Sequence, residues 1–204
     1  MIPAAALSGR PSPIDDRGWF DRSAAEVAPE LLGAVLVHDT PSGRIAGRIV
    51  EVEAYLGPED LAAHSAAGQT PRNAVMFGPP GHLYVYFVYG MHHCANVVCG
   101  PGSKPEAVLL RAAELTEGEQ LARVRRGALP SARLASGPGN LASAFDIDRE
   151  LNGSDLLAGP IHLEHGTRPD VIDRAPRIGV DYAGAWTDRP LRYLIRDDHH
   201  RSRR

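Results

Sequence analysis

Apolar residues fall into short runs punctuated by Gly, Pro, Asn and Asp, and the period of those runs changes along the chain. Ser23-Ala-Ala-Glu26 has the form of a capping box, so it predicts a helix start; the helix is kept short or kinked by Pro29 and stops at Gly33. Ala34 to His38 reads as a strand, Thr40-Pro-Ser-Gly43 as a turn, and Arg44 to Tyr55 as a long second strand in which Ile45, Gly47 and Ile49 alternate with polar neighbours. Leu56-Gly-Pro-Glu-Asp60 breaks that strand, and Glu59 to Ala67 is expected to form a short helix. A loop rich in Gly and Pro covers Gln69 to His82. Leu83 to Tyr89 is the strongest strand, with Tyr84 and Tyr86 on one face and Val85, Phe87 and Tyr89 on the other. Gly90-Met91 is a tight reversal into a partner strand, His92 to Cys99. Further elements are a strand at Ala107 to Ala112, a helix at Glu117 to Arg126 and another at Leu141 to Phe145. In the first of these helices Leu121 and Val124 are expected inward, and Arg123, Arg125 and Arg126 largely outward. Late strands are expected at Ile161 to Glu164, Ile178 to Val180 and Leu191 to Ile195. Strands joined by hairpins, with helices set apart, predict an α+β fold in one domain.

Composition narrows the function without choosing it. The 204 residues suit one substantial core, and no run approaches the ~18 apolar residues of a membrane span. Cys94 and Cys99 are too few for a disulfide framework, so a reduced, cytoplasmic setting is the default. A net charge of −3 does not advertise a nucleic-acid binder, although binding depends on where charge sits. Lys104 is the only lysine. Positive charge is therefore almost wholly arginine, which pairs with phosphate and does not act as an amine nucleophile.

Two islands carry most of the candidate chemistry: Glu51 to His64, and Leu83 to Asn96, which hold most of the tyrosines and several histidines. Tyrosines beside carboxylates suit a pocket for a flat ring. Position alone does not separate Glu53 from Glu51, Glu59 or Asp60, and a lone strand glutamate is more often simply solvated. Tyr84, Tyr86 and Tyr89 are equally compatible with sheet packing. His64, His82, His92, His93, Cys94 and Cys99 lack the spacing of a zinc site, so no metal is expected. Phosphate-cradle and nucleophile-elbow motifs are missing, and no cofactor is expected.

The ordered series Glu53-Ala-Tyr-Leu-Gly-Pro-Glu-Asp60, Ala62-Ala-His-Ser65, Thr70-Pro-Arg-Asn73, Leu83-Tyr-Val-Tyr86 and Tyr89-Gly-Met91 closely resembles the alkyladenine (3-methyladenine) DNA glycosylase family. Val108-Leu-Leu-Arg-Ala112, Ser136-Gly-Pro138, Arg177-Ile-Gly-Val180 and Pro190-Leu-Arg192 match in the same order, from about Phe20 to Ile195. The resemblance implies an α+β domain with a curved, mainly antiparallel sheet, surrounding helices and a protruding hairpin that enters DNA. It implies Glu53 as the carboxylate that deprotonates water, with Arg111 and the Val180 carbonyl helping to hold that water. Tyr55, His64 and Tyr86 would sandwich the extruded base, with Leu109 lining the same pocket and Asn96 rejecting the exocyclic amine of guanine. Tyr89 would fill the gap in the duplex, with Met91 beside it. His92 and His93 stand where mammalian relatives carry aromatics, which makes the wall behind the hairpin more polar.

The expected substrate is double-stranded DNA with damaged purines, handled by a monomeric, monofunctional enzyme that starts base excision repair. Arg72, Arg123 and Arg126 are the candidate phosphate contacts. Residues 1–18 are expected as a flexible arm, 19–196 as the catalytic domain, and the Arg-rich 197–204 as a disordered tail. A lesion-binding module without catalysis, and an RNA-binding use of the same fold, are the alternatives.

Overall fold

The capping box forms. The Ser23 side chain accepts from Ala25 N, the Glu26 carboxylate accepts from Ser23 N at 3.2 Å, and helix α1 spans Ala24–Leu31. Its face of Ala24, Val27, Ala28 and Leu31 is buried against the sheet. The structure, a computed structural model, describes residues 11–88 and 90–202. Strands β1 (Val35–Thr40), β2 (Gly43–Tyr55), β3 (Leu83–Val88), β4 (His92–Cys99), β5 (Glu106–Glu117), β6 (Ile161–Glu164), β7 (Ile172–Ala175) and β8 (Arg192–Ile195) form one open antiparallel sheet. Its order is β3-β4-β5-β2-β1-β6, with β8 pairing to both β2 and β7. Helices α2 (Glu119–Arg126), α3 (Ser131–Leu134) and α4 (Pro138–Ala144) complete a single α+β domain.

Strand β2 is central. β1 and then β8 pair along one edge, and β5 pairs along the other. The alternation of buried residues changes phase at its midpoint. Ile45 and Ile49 enter the main core in the first half, whereas Val50, Val52 and Ala54 do so in the second. The cause is a bulge: the register with β5 shifts between Ile49 and Glu51. β5 slips in the opposite sense, since Glu51 faces Ala112 and Val52 faces Leu110, so Arg111 is the extra residue. A bulge leaves one residue unpaired and re-aims side chains. Together the two bulges restore register and place Glu51, Glu53, Tyr55, Leu109 and Arg111 off the main core.

Several expectations change. No helix forms over residues 59–67; Asp60 ties the segment into turns instead, accepting from Leu56 N and Ala62 N at 3.0 Å each. β5 continues to Glu117 because Leu115 and Glu114 stay paired with β2, which delays α2 to Glu119. Val124 is 86% exposed; Ala122 is the buried contact of that helix. Residues 178–180 form no strand, with a bend at 178–179, and the strand nearest in sequence is β7, at Ile172–Ala175. In the stretch expected to be a loose arm, Ile14 is buried and its N–H bonds Leu163 O at 2.8 Å. Residues 197–202 also pack back: Asp198 pairs with Arg48 at 2.7 Å and the Arg201 carbonyl accepts from Ser136 Oγ at 2.8 Å.

Candidate active site

The two bulges, the loop 56–82 and the segment 176–190 enclose a cavity of about 330 Å³, within the ~300–1,000 Å³ range of small-ligand sites. One wall comes from the β3–β4 hairpin, where Tyr84 is opposite Asn96 and Tyr86 opposite Cys94. The tyrosine rings lie 5.4 Å apart at 32°. His64 reaches in from the loop, edge-on to Tyr86 at 4.5 Å, with Nδ1 3.0 Å from Tyr84 Oη. The loop holds that position because buried Asn73 donates to the carbonyls of His64 (2.8 Å) and Gly68 (3.0 Å). Asn73 of the Thr70-Pro-Arg-Asn73 motif is thus a brace. Asn96 Nδ2 donates to Tyr84 O at 3.1 Å, which fixes its amide against the pocket.

Burial decides the ionisation of these rings. It raises the phenol pKa of Tyr84 to about 12 and that of Tyr86 too, while it lowers that of His64, with the Arg72 charge adding to the effect. Tyr55, raised first by burial and then by Glu53, keeps its proton and donates to Glu53 Oε2 at 3.0 Å.

Glu53 lies directly behind the lining and is fully buried. Its Oε1 accepts from Ile178 N at 2.8 Å and lies 3.3 Å from Arg111 Nη1. With the Tyr55 bond, three partners occupy its acceptor sites, and an ionised carboxylate offers about four. Burial opposes the charge of Arg111, but Glu53 and Glu51 outweigh it, and the guanidinium pKa is raised. Tyr55, Arg111 and Ile178 all line the cavity.

Other predicted residues take varied places. Leu109 lines the cavity opposite Glu53 in register. Val180 lines it as well, but its carbonyl already accepts from Ala183 N (2.9 Å) and Thr187 Oγ1 (3.1 Å). Those two bonds occupy the carbonyl expected to help hold the water; separately, Ile178 N of the same segment meets Glu53. Met91 is 70% exposed at the hairpin turn; Tyr89 lies outside the described residues. Arg72 lines the cavity and stacks on Tyr86 at 5.4 Å. Arg123 is absorbed locally by Glu119, Ser131 Oγ and the Leu129 carbonyl. Arg126 donates to Leu134 O at 3.1 Å and borders an open groove beside the hairpin turn. Of the histidines and cysteines weighed for zinc, His64 and Cys94 line the cavity, His92 and His93 border that groove, and Cys99 is in the main core.

One support has no counterpart among the predicted site residues. Arg177 and Asp60, both fully buried as side chains, pair through Nη2 and Oδ1 at 2.8 Å. Arg177 also donates to Ala54 O at 2.9 Å and covers the Tyr55 ring at 4.6 Å. The pair fixes both the Tyr55 ring and the segment that delivers Ile178. Its sequence signal is the charge of opposite sign in two motifs more than a hundred residues apart, which spacing cannot link.

Known proteins resemble this chain in sequence. A sequence model of the family described as Methylpurine-DNA glycosylase (MPG) matches residues 18–199. The chain belongs to the methylpurine-DNA glycosylase family. Among its relatives, a protein of Streptomyces avermitilis is 51% identical over 188 residues, covering 89% of this chain and 87% of that protein. One of Methanocella arvoryzae is 49% identical over 183 residues (89% and 92%), and one of Myxococcus xanthus 46% over 187 (91% of each). All three are named "Putative 3-methyladenine DNA glycosylase". This methylpurine-DNA glycosylase family member is thus a DNA glycosylase and a DNA repair enzyme, with DNA as its substrate. Among the described residues no helix is long and apolar enough to cross a membrane.

Proposed function

We propose that the enzyme hydrolyses the N-glycosidic bond of 3-methyladenine and 7-methylguanine in duplex DNA, with hypoxanthine and ethenoadenine as further substrates, and leaves an abasic site. The observation that carries this reading is the Glu53 carboxylate, buried behind an aromatic pocket with Arg111 and Tyr55 on its oxygens. The damaged nucleotide swings out of the stack, at a cost of a few kcal/mol that is lowest where pairing is already weak. Alkylation at N3 or N7 makes the purine cationic, so stacking on Tyr55 and Tyr86 adds a cation–π attraction of ~0.5–2 kcal/mol. Glu53 uses its remaining acceptor position to take a proton from water as the water oxygen bonds C1′. The glycosidic electron pair leaves with the purine, and the cationic base needs no prior protonation. The same carboxylate offsets positive charge developing on the sugar. Asn96, held by Tyr84, opposes the exocyclic amine of undamaged guanine. The tip of the β3–β4 hairpin, with Tyr89 and Met91, enters the minor groove and fills the vacated space.

Hydrolysis without strand cleavage is supported by the lysine content. Lys104 is held by Glu106 (3.1 Å) and Glu59 (3.2 Å) and does not line the cavity. Burial opposes its charge, yet those two carboxylates raise its pKa, so it is no free amine.

The test is release of free base from methylated duplex, followed by chromatography. Wild type is expected to release 3-methyladenine, and Glu53→Gln to lose about 10²–10⁴-fold in rate while still binding damaged duplex. Comparable release by the variant removes Glu53 from its role. Saturable binding with no release by wild type makes the protein a lesion-binding module.

A further inference from the structure

Glu51 is a second carboxylate of β2, fully buried like Glu53, and base excision as proposed above does not use it. Its position is costly unless every oxygen is matched, because an unpaired buried charge destabilises strongly. The matches come from three parts of the chain. Oε1 accepts from Arg111 Nε at 3.0 Å, from Arg192 Nη1 of β8 at 3.3 Å and from Ser202 Oγ at 2.8 Å. Oε2 accepts from Ser202 N at 2.6 Å. The Ser202 hydroxyl in turn accepts from Arg111 Nη2 at 3.3 Å.

Arg111 is therefore held at each of its nitrogens by a different partner: Nε by Glu51, Nη2 by Ser202 and Nη1 by Glu53. A guanidinium is a rigid planar fork. Fixing two of its corners from behind dictates where the third meets Glu53. The bulge supplies the direction, and Glu51 with Ser202 supplies the orientation about the side-chain axis. Residues 197–202 are themselves anchored, through Asp198 on Arg48 and through the Arg201 carbonyl on Ser136. Ser136 adjoins Ala112, the residue after Arg111, by a bridge to β5.

We propose that Glu51 and Ser202 are positioning residues for excision: they lock Arg111 so that it presents Nη1 to the reacting carboxylate, and the segment 197–202 is a strap that closes the back of the site. The proposal rests on the excision reading and adds to it a requirement for residues remote from the base pocket. Neither residue lines the cavity, so damaged-duplex affinity is independent of them.

The experiment compares wild type with Ser202→Ala, Ser202→Thr and Glu51→Gln. Thermal unfolding establishes that each variant is folded. Single-turnover base release on methylated duplex is measured at saturating enzyme, alongside duplex affinity. Ser202→Ala is expected to slow release roughly tenfold, the scale of one hydrogen bond to a charged group, with affinity unchanged within about twofold; Ser202→Thr, which keeps the hydroxyl, restores most of the rate. The second readout is the Arg111 Nε–H resonance. In wild type it is expected to exchange slowly and show restricted guanidinium rotation, and in Ser202→Ala and Glu51→Gln both restraints are relaxed. Folded variants with wild-type release and an unchanged Arg111 resonance overturn the proposal, as does a parallel fall in rate and affinity. Absence of release by wild type overturns the excision reading alone. The Arg111 resonance then judges the lock by itself.

Discussion

His64 shows how a single environment sets the charge of a pocket ring and, with it, a part of the stability. Its pKa is lowered, first by burial and then by Arg72, so the ring beside Tyr86 is neutral at pH 7. A neutral ring does not repel a cationic purine. In the unfolded chain the histidine gains its proton near pH ~6.5, whereas the folded protein resists it to lower pH. More protons are bound by the unfolded state within that window, so stability falls as pH drops through it. A His64→Gln variant lacks this component. Its stability relative to wild type is expected to improve between pH 7.5 and 5.5, measured by urea denaturation at each pH; a constant difference would place the ring in a solvated setting.

At the scale of elements, Gly47 belongs to the apolar alternation of β2 but has a second role. A Cβ there would sit 2.8 Å from Glu114 O and 3.0 Å from the Phe145 ring. Gly47→Ala is expected to destabilise by about 1–3 kcal/mol through overpacking, seen as a lower urea midpoint with unchanged m-value. Much of this level was legible from the chain. The capping box at Ser23, the β1–β2 hairpin and the β3–β4 hairpin all rest on local patterns, and all form. What local pattern could not supply was the change of phase in β2. The doublets Ile49-Val50 and Ala112-Ala113 interrupt alternation in both strands, yet a doublet looks like ordinary burial until the two strands are aligned. The helix expected over residues 59–67 failed for a related reason: Asp60 takes backbone partners within the loop and Arg177 from 117 residues away. Glu51 could not be told from Glu53 because its partner Ser202 is 151 positions distant. Val124 was misplaced because helix α2 buries little more than Ala122.

At the scale of the molecule, a net charge of −3 does not show that a good part of the arginine is committed to ion pairs inside the fold. Arg44, Arg48, Arg111, Arg177 and Arg192 are all paired within the fold. Arg72, like Arg126 and several exposed arginines, has no carboxylate partner among the described residues, and it stands at the pocket mouth with Nη2 on the Phe87 carbonyl at 3.1 Å. Duplex binding is expected to weaken log-linearly with salt, by about −0.9 per phosphate contacted, and Arg72→Ala to reduce that slope by about 1. An unchanged slope in the variant would remove Arg72 from the phosphate surface.

Because β2 has neighbours along both edges, its amides are expected to open only when the whole domain does, while those of the exposed turn around Met91 open singly. Under the proposed function, the carboxylate that activates water and the turn that enters DNA thus sit at opposite ends of the protein's own stability scale. On that reading, sequence drift at the turn is expected to change how the enzyme engages DNA and to leave the chemistry where it was.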